Sequence, residues 1–213
     1  MEQNIAILMA DLSGYTALTE THGASAAADL VEKYIAIVQK CLVGDSKLHE
    51  RTGDELMIVS ASADNLLATA VMMGNATSGE EHFLQVHGGM HYGPVLQRNN
   101  HFFGTTINLT SRIASKASAG KFWCSSAFAD MLSPASAYNL ISQGNHSFKN
   151  IADPTAIFQL DNEPNSRLYT DPVCRMLILD TQKAITHANK PGIYFCSAHC
   201  SETYSIHHEK LTS

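Results

Sequence analysis

Ile7-Leu8-Met9-Ala10-Asp11-Leu12-Ser13-Gly14-Tyr15-Thr16 is an apolar run that ends in a carboxylate. A Gly-containing turn then leads into a helical stretch. Working outward, Asn4 to Ala10 predicts a buried strand, and Ser25 to Leu42 an amphipathic helix with Leu30, Val31, Tyr34, Ile35, Val38 and Leu42 at helical spacing. Lys47 to Arg51 and Leu56 to Ala61 read as a hairpin around Gly53-Asp54. Asn65 to Met73 predicts a buried helix, and Phe83 to Tyr92 a strand ending at Gly93-Pro94. Thr105 to Ala117 is expected to be helical and Lys121 to Ser125 a strand. Ser126 to Leu132 predicts a short helix, and Tyr138 to Leu160 is mostly strand. Strands and helices alternating in this way predict an α/β (α+β) sandwich, with helices packed on a sheet.

A chain of 213 residues suits one medium domain with a small appendage. Its net charge of -6 argues against a nucleic-acid partner, which calls for a basic face. No apolar stretch reaches the length of a membrane span, and Met1-Glu2-Gln3-Asn4 lacks the basic start of a signal peptide. The expectation is therefore a cytoplasmic protein with neither a nucleic-acid nor a membrane partner. Asp161-Asn162-Glu163-Pro164-Asn165-Ser166 has linker chemistry, and beyond it the composition shifts toward Cys, His and aromatic residues. This divides the chain into residues 1–160, a linker at 161–167 and a module at 168–213.

Two carboxylates at strand ends, Asp11 and Asp54, are what a pair of hard divalent ions needs, and such ions handle phosphates. Asn108 and Arg112, four residues apart, project from one helix face. Each residue also has a plainer reading. Asp54 suits a hairpin turn and Asp11 a helix N-cap, while Asn108 and Arg112 fit a solvated helix face.

Taken together, four blocks carry a resemblance. They are Met9-Ala10-Asp11-Leu12-Ser13-Gly14-Tyr15-Thr16, Arg51-Thr52-Gly53-Asp54-Glu55-Leu56-Met57, His87-Gly88-Gly89-Met90-His91-Tyr92-Gly93-Pro94-Val95 and Phe102-Phe103-Gly104-Thr105-Thr106-Ile107-Asn108-Leu109-Thr110-Ser111-Arg112. In this order they resemble the class III nucleotidyl cyclase catalytic domain, the family of adenylyl and guanylyl cyclases. The resemblance implies a ferredoxin-like βαββαβ sandwich in which the ribose 3′-hydroxyl of ATP or GTP attacks the α-phosphate and pyrophosphate leaves. It implies that Asp11 and Asp54 hold two Mg²⁺ or Mn²⁺ ions, and that the amides of Leu12, Ser13, Gly14, Tyr15 and Thr16 cradle phosphates. Arg112 would meet the charge growing on phosphorus, Asn108 would orient the ribose, and Lys149 would contact phosphate.

The resemblance also assigns the purine-reading positions to Glu50 and His101. Adenylyl cyclases commonly carry Lys and Asp or Thr there. Guanylyl cyclases commonly carry Glu and a small residue such as Cys. Glu50 suits the donors of guanine N1 and N2, and His101 suits guanine O6, whereas ATP is the commoner substrate among bacterial members. The family builds its site across a two-fold dimer, so a homodimer with two equivalent sites is implied.

The tail contains Tyr169-Thr170-Asp171-Pro172-Val173-Cys174-Arg175-Met176 and Gly192-Ile193-Tyr194-Phe195-Cys196-Ser197-Ala198-His199-Cys200. Three of the five cysteines fall here, and three thiolates select a soft or borderline ion such as Zn²⁺. His199, His207 and His208 are the expected sources of a fourth ligand. Three buried thiols without metal are the alternative. The segment resembles the YHS domain, a small metal-associated module related to the TRASH group, departing at Arg175 where that family usually has Gly. The resemblance supports Cys174, Cys196 and Cys200 as ligands of a thiophilic metal that is either structural or sensory.

Overall fold

The computed structural model describes residues 2–133, 138–161, 169–174, 177–178 and 181–209. The first part runs β1 (Glu2–Leu12), α1 (Tyr15–Cys41), β2 (Lys47–Thr52), β3 (Glu55–Ser60), α2 (Ala63–Ser78) and β4 (Val86–Arg98). It continues with β5 (His101–Phe103), α3 (Thr105–Lys116), β6 (Phe122–Ser125), α4 (Ser126–Ala129), β7 (Leu140–His146) and β8 (Thr155–Leu160). The strands form one sheet in the order β2-β3-β1-β4-β6-β8-β7, with β5 paired to β4. Its first four strands, with α1 and α2, make the βαββαβ unit, and all their pairings are antiparallel.

The unbroken apolar character of β1 has a simple cause, because both faces of the strand are covered. Ala6, Leu8 and Ala10 pack with Leu30, Tyr34 and Val38 of α1 and Leu66, Leu67 and Ala70 of α2. Ile5, Ile7 and Met9 pack on the opposite side with Ala114 and Ile107 of α3. A strand between two helical layers must be apolar at odd and even positions alike. The side chains of β1 thus set the spacing between α3 and the α1/α2 layer.

Several boundaries differ from expectation. Helix α1 begins at Tyr15, ten residues before the predicted start, and is broken at Gly23 (φ 83, ψ 168). The sequence places a helical stretch after the Gly14 turn without fixing its bounds, because residues 15–24 are mostly polar and carry no strong apolar stripe. Strand β4 runs through Gly93-Pro94, where the sequence predicted its end. The Gly88 amide points toward the β6 side and donates to Lys121, so the Pro94 nitrogen, three alternations later, points the same way. At Pro94 that side has no strand, because β6 pairs with residues 88–90 and β5 with residues 96–98. The missing N–H therefore costs no ladder bond, and the Pro94 carbonyl accepts from Thr106 Oγ1 at 2.7 Å. Helix α4 is shorter than predicted, ending at Ala129.

The second part contains β9 (Tyr169–Thr170), β10 (Leu177–Ile178), β11 (Ile185–Thr186), β12 (Tyr194–Phe195) and α5 (Ala198–Glu209). Strands β9 and β10 form one hairpin-like pair, and β11 and β12 another. Their core is small: Cys174, Phe195 and Cys200, flanked by Val173, Ile193, Cys196 and Tyr204. Nearly all of the predicted linker, like Arg175, lies outside the described residues. Among the described residues, no helix is long and apolar enough to cross a membrane.

Candidate active site

The end of β1 and the β2–β3 turn bring two carboxyls together. Asp11 lies opposite His87 in the β1–β4 register, one residue before the end of its strand. Asp54 follows Gly53, whose φ of 63 meets the left-handed requirement at the first central position of a two-residue hairpin turn. Both aspartates are half-buried. Burial pushes the Asp54 carboxyl up to about 7, helped by the hydrogen bond that protonated Asp54 donates to Asp11 and by the negative charge of Asp11. Glu55 is raised by the same two causes, its own burial first and Asp11 second. Asp11 and Asp54 thus meet at one strand end, and Glu55 lies near enough to feel the Asp11 charge.

Two further groups at this place escaped the sequence reading. The Tyr34 hydroxyl, fully buried on α1, has no hydrogen-bond partner among the described residues. Burial, then the charges of Asp11 and Asp54, raise its pKa. Ser13 Oγ and His87 Nδ1 lie 2.9 Å apart, and burial holds His87 below its ordinary value. The tyrosine spacing reads only as core, so no local pattern marks its hydroxyl.

The amides of the β1–α1 turn divide into two groups. Leu12 N donates to Asp11 Oδ1 at 3.0 Å and Ser13 N to Gln85 O at 2.9 Å, so both are engaged. Gly14 (φ 96) precedes α1 with no side-chain cap, and the first turn carries no acidic residue. The amides of Gly14, Tyr15 and Thr16 are the ones left facing an uncapped, electropositive helix start.

A cavity of about 250 Å³ lies beside this site, lined by Glu50, Arg51, Thr52, Glu55, Met57, Met9, Ile107, Asn108 and Ser111. It gathers Glu50 and Asn108 from distant parts of the chain. Neither Asp11 nor Asp54 lines it, nor does Arg112. Helix α3 presents Asn108 to solvent and Arg112 half-buried. The backbone of α3 sits directly on β4 at Gly89. A Cβ placed there would lie 2.7 Å from Thr110 O, 2.8 Å from Ala114 Cα and closer still to Ala114 N. Gly89, the second glycine of the third sequence block, therefore lets the helix carrying Asn108 and Arg112 approach the sheet. Glu50 and His101 meet as well, with the His101 Nδ1–H donating to Glu50 Oε1 at 2.7 Å. Lys149 is exposed, after the buried Phe148, in the loop between β7 and β8.

Residues 1–162 match the family model for the adenylate and guanylate cyclase catalytic domain. The chain belongs to this cyclase family. An uncharacterized protein of Mycobacterium tuberculosis is 31% identical over 74% of this chain and 41% of its own length. An adenylate cyclase of Glutamicibacter nicotianae is 28% identical over 54% of this chain and 29% of its own length. The chain spans about two fifths or less of the curated relatives it matches. An adenylate cyclase structure from Trypanosoma brucei superimposes with a TM-score of 0.70 at 17% identity, covering 82% of this chain and 95% of that one. At that identity the likeness shows the fold alone, and it is the cyclase sandwich that the four sequence blocks implied.

The C-terminal residues of the chain bring Cys174, Cys196 and Cys200 together. Cys174 Sγ and Cys196 Sγ are 3.4 Å apart, Cys196 Sγ and Cys200 Sγ 3.8 Å, and all the cysteines are free thiols. Asp171, fully buried, stitches the two cysteine segments. Its Oδ1 accepts from the amides of Val173 and Cys174, and its Oδ2 from Cys196 N at 2.8 Å. Burial pushes the Cys200 thiol up to about 12, and the proximity of Cys174 raises Cys196. Among the described residues, the imidazole that joins the three sulfurs is that of His22 of α1, whose Nε2 lies 3.4 Å from Cys200 Sγ. His199 instead hydrogen-bonds the Thr21 carbonyl through Nε2, His207 is not in the cluster, and the side chain of His208 lies outside the described residues. A separation of 178 residues explains why spacing could not reveal His22.

Proposed function

We propose that this protein is a nucleotidyl cyclase that converts ATP or GTP to the 3′,5′-cyclic nucleotide and pyrophosphate as a homodimer. The observation that carries this reading is the meeting of Asp11 and Asp54 at one strand end, where the charge of Asp11 raises the cost of ionising Asp54. Such a pair fits two Mg²⁺ or Mn²⁺ ions, which when bound would lower the pKa of the ribose hydroxyl and neutralise the triphosphate.

The chain's own groups do the rest. The 3′-oxygen forms a bond to the α-phosphorus as the bond to the bridging oxygen breaks, and charge accumulates on the α-phosphoryl oxygens. The planar guanidinium of Arg112 donates to those oxygens, and Asn108 aligns the ribose. The uncapped amides of Gly14, Tyr15 and Thr16 bind leaving-phosphate oxygens, with Leu12 and Ser13 fixing the turn, and Lys149 adds a cation. Glu50 accepts from the N1–H and N2 amino group of guanine, while His101 orients the Glu50 carboxylate through their hydrogen bond. This chemistry favours guanine over adenine. The cavity beside Asn108 is not lined by either aspartate, which supports a site shared between protomers: carboxylates from one, Asn108 and Arg112 from the other. A triphosphate substrate and reduced thiols fit the cytoplasm.

We further read residues 168–213 as a YHS-like module holding a thiophilic ion through Cys174, Cys196 and Cys200, joined at 161–167 to a catalytic domain spanning 1–160, with cyclase output responding to that ion. The test is direct. Purified protein is incubated with ATP or GTP and Mn²⁺, and cyclic product is measured beside Asp54→Ala. Product above that control supports the enzyme. None with either nucleotide refutes it and leaves a non-catalytic cyclase-homology regulator.

A further inference from the structure

We propose that His22 of the catalytic domain completes a Cys₃His metal site with Cys174, Cys196 and Cys200, so that one thiophilic divalent ion of the zinc class pins the C-terminal module to the first segment of α1. This rests on the reading of the three cysteines as metal ligands and adds the residue that joins them to the enzyme.

The geometry carries it. The four ligand atoms all lie within 4.8 Å of one another. A tetrahedral ion with metal–sulfur bonds of about 2.3 Å and a metal–nitrogen bond of about 2.05 Å needs S···S edges of about 3.8 Å and S···N edges of about 3.5 Å. Three of the six edges are 3.4 and 3.8 Å between sulfurs and 3.4 Å from Cys200 Sγ to His22 Nε2. The shell is closed: Cys174 and Cys200 are fully buried, and Cys196 and His22 are half-buried. Three thiolates with one imidazole and no open position is the donor set of a structural-type zinc site.

The surroundings hold this arrangement independently of an ion. Asp171 fixes the backbone on which Cys174 and Cys196 ride. His199 donates to the Thr21 carbonyl at 3.1 Å, and its ring lies edge-on to His22 with centroids 6.0 Å apart. Thr21 and His22 sit at the end of the first segment of α1, where the break at Gly23 leaves helical carbonyls without their usual partners. The module thus caps a helix end inside the catalytic domain. A Cβ at Gly23 would meet nothing, so it is the positive φ of 83, not crowding, that calls for glycine at this hinge.

The consequence is mechanical. The segment from Tyr15 to His22 begins at the turn after Asp11 and ends at a metal ligand. An ion at the far end fixes the segment whose near end carries the amides read as the phosphate cradle. Occupancy therefore biases the position of that cradle relative to Asp11, with Gly23 isolating the rest of α1.

The test uses the full-length protein stripped of metal and titrated with Co²⁺ as a spectroscopic probe and Zn²⁺ in competition. His22→Ala, the size-conserving His22→Gln, His199→Ala and Cys196→Ser are compared, with circular dichroism to establish folding. Wild type should bind one ion with the visible bands of a tetrahedral thiolate site. Both His22 variants should shift those bands and bind Zn²⁺ at least about tenfold more weakly, while His199→Ala keeps the wild-type bands. Amide exchange over residues 15–22 should slow on adding Zn²⁺ in wild type and not in His22→Gln. If wild type binds Co²⁺ but both His22 variants keep its bands and affinity, the inference is overturned and the thiolate reading stands. If His199→Ala alters the bands and the His22 variants do not, the ligand is misassigned. If wild type and Cys196→Ser both bind nothing, the thiolate reading itself falls. If exchange over residues 15–22 ignores Zn²⁺, the pinning is refuted.

Discussion

Replacing Gly89 by Ala probes the close backbone contact that seats on the sheet the helix carrying Asn108 and Arg112. The new methyl carbon would lie 2.7 Å from Thr110 O and 2.8 Å from Ala114 Cα, both backbone atoms of a helix that has no side chain to move aside. Ordinary carbon contacts lie at about 3.5–4.0 Å, so the helix must lift by about 1 Å or the strand must bend by as much. Overpacking of this kind costs about 2 kcal/mol, with a range of about 1–3. For a chain of this size that is a drop of about 4–8 °C in Tm. The larger effect falls on chemistry. Asn108 and Arg112 ride on α3, and a displacement of about 1 Å costs about 100-fold in rate. The assay pairs thermal melting with cyclase turnover, using Gly79→Ala as a control. Gly79 ends α2 with φ −86, and its Cβ would meet only carbonyls at 3.5 and 3.6 Å. The control should match wild type in both measurements. A Gly89→Ala protein with wild-type Tm and turnover would refute the claim that β4 positions α3 by backbone contact. A lower Tm with full turnover would refute its link to catalysis.

Other consequences follow from the same geometry. Asp54 has a folded pKa of about 7, above the ordinary carboxylate value of 3.8, so it contributes stability below about pH 4 that is lost as pH rises through 7. In metal-free protein, Tm measured from pH 4 to 8 should therefore fall relative to that of Asp54→Asn, and Mn²⁺ should remove the difference. A difference curve that is flat without Mn²⁺ would count against the paired carboxyls. Mixing inactive Asp54→Ala protomers with inactive Arg112→Ala protomers should restore about a quarter of wild-type activity, since half the dimers carry one intact site. No recovery under conditions where subunits exchange would argue for sites confined to one protomer. Glu50→Lys should lower kcat/KM for GTP by about 10–150-fold, the worth of a charge-assisted hydrogen bond, and leave ATP turnover less affected. Equal losses with both nucleotides would remove Glu50 from base selection.

The β1 run, the β2–β3 hairpin and the spacing of Asn108 to Arg112 were legible in the chain because each rests on local periodicity or turn chemistry. Asp11 and Asp54 could be picked out for the same reason, as carboxylates at ends of strands. Local pattern did not show where α1 begins, because the mostly polar helical turns before Gly23 carry a weak stripe. It also misjudged Pro94, whose tolerance depends on which side of β4 lacks a neighbour. Family order identified the cyclase sandwich, but the hydrogen bond between Glu50 and His101 required the β2 and β5 strands to be brought together by the sheet.

The division has one physical root. Sequence by itself determined what depends on neighbours along the chain: strand and helix types, the turn at Gly53, the two aspartates and the cysteine trio. Tertiary structure decided what depends on neighbours in space. It set Asp54 against Asp11, seated α3 on Gly89, and brought His22 to Cys200 across 178 residues. Periodicity carries no record of such meetings, because they arise only when separately coded surfaces pack.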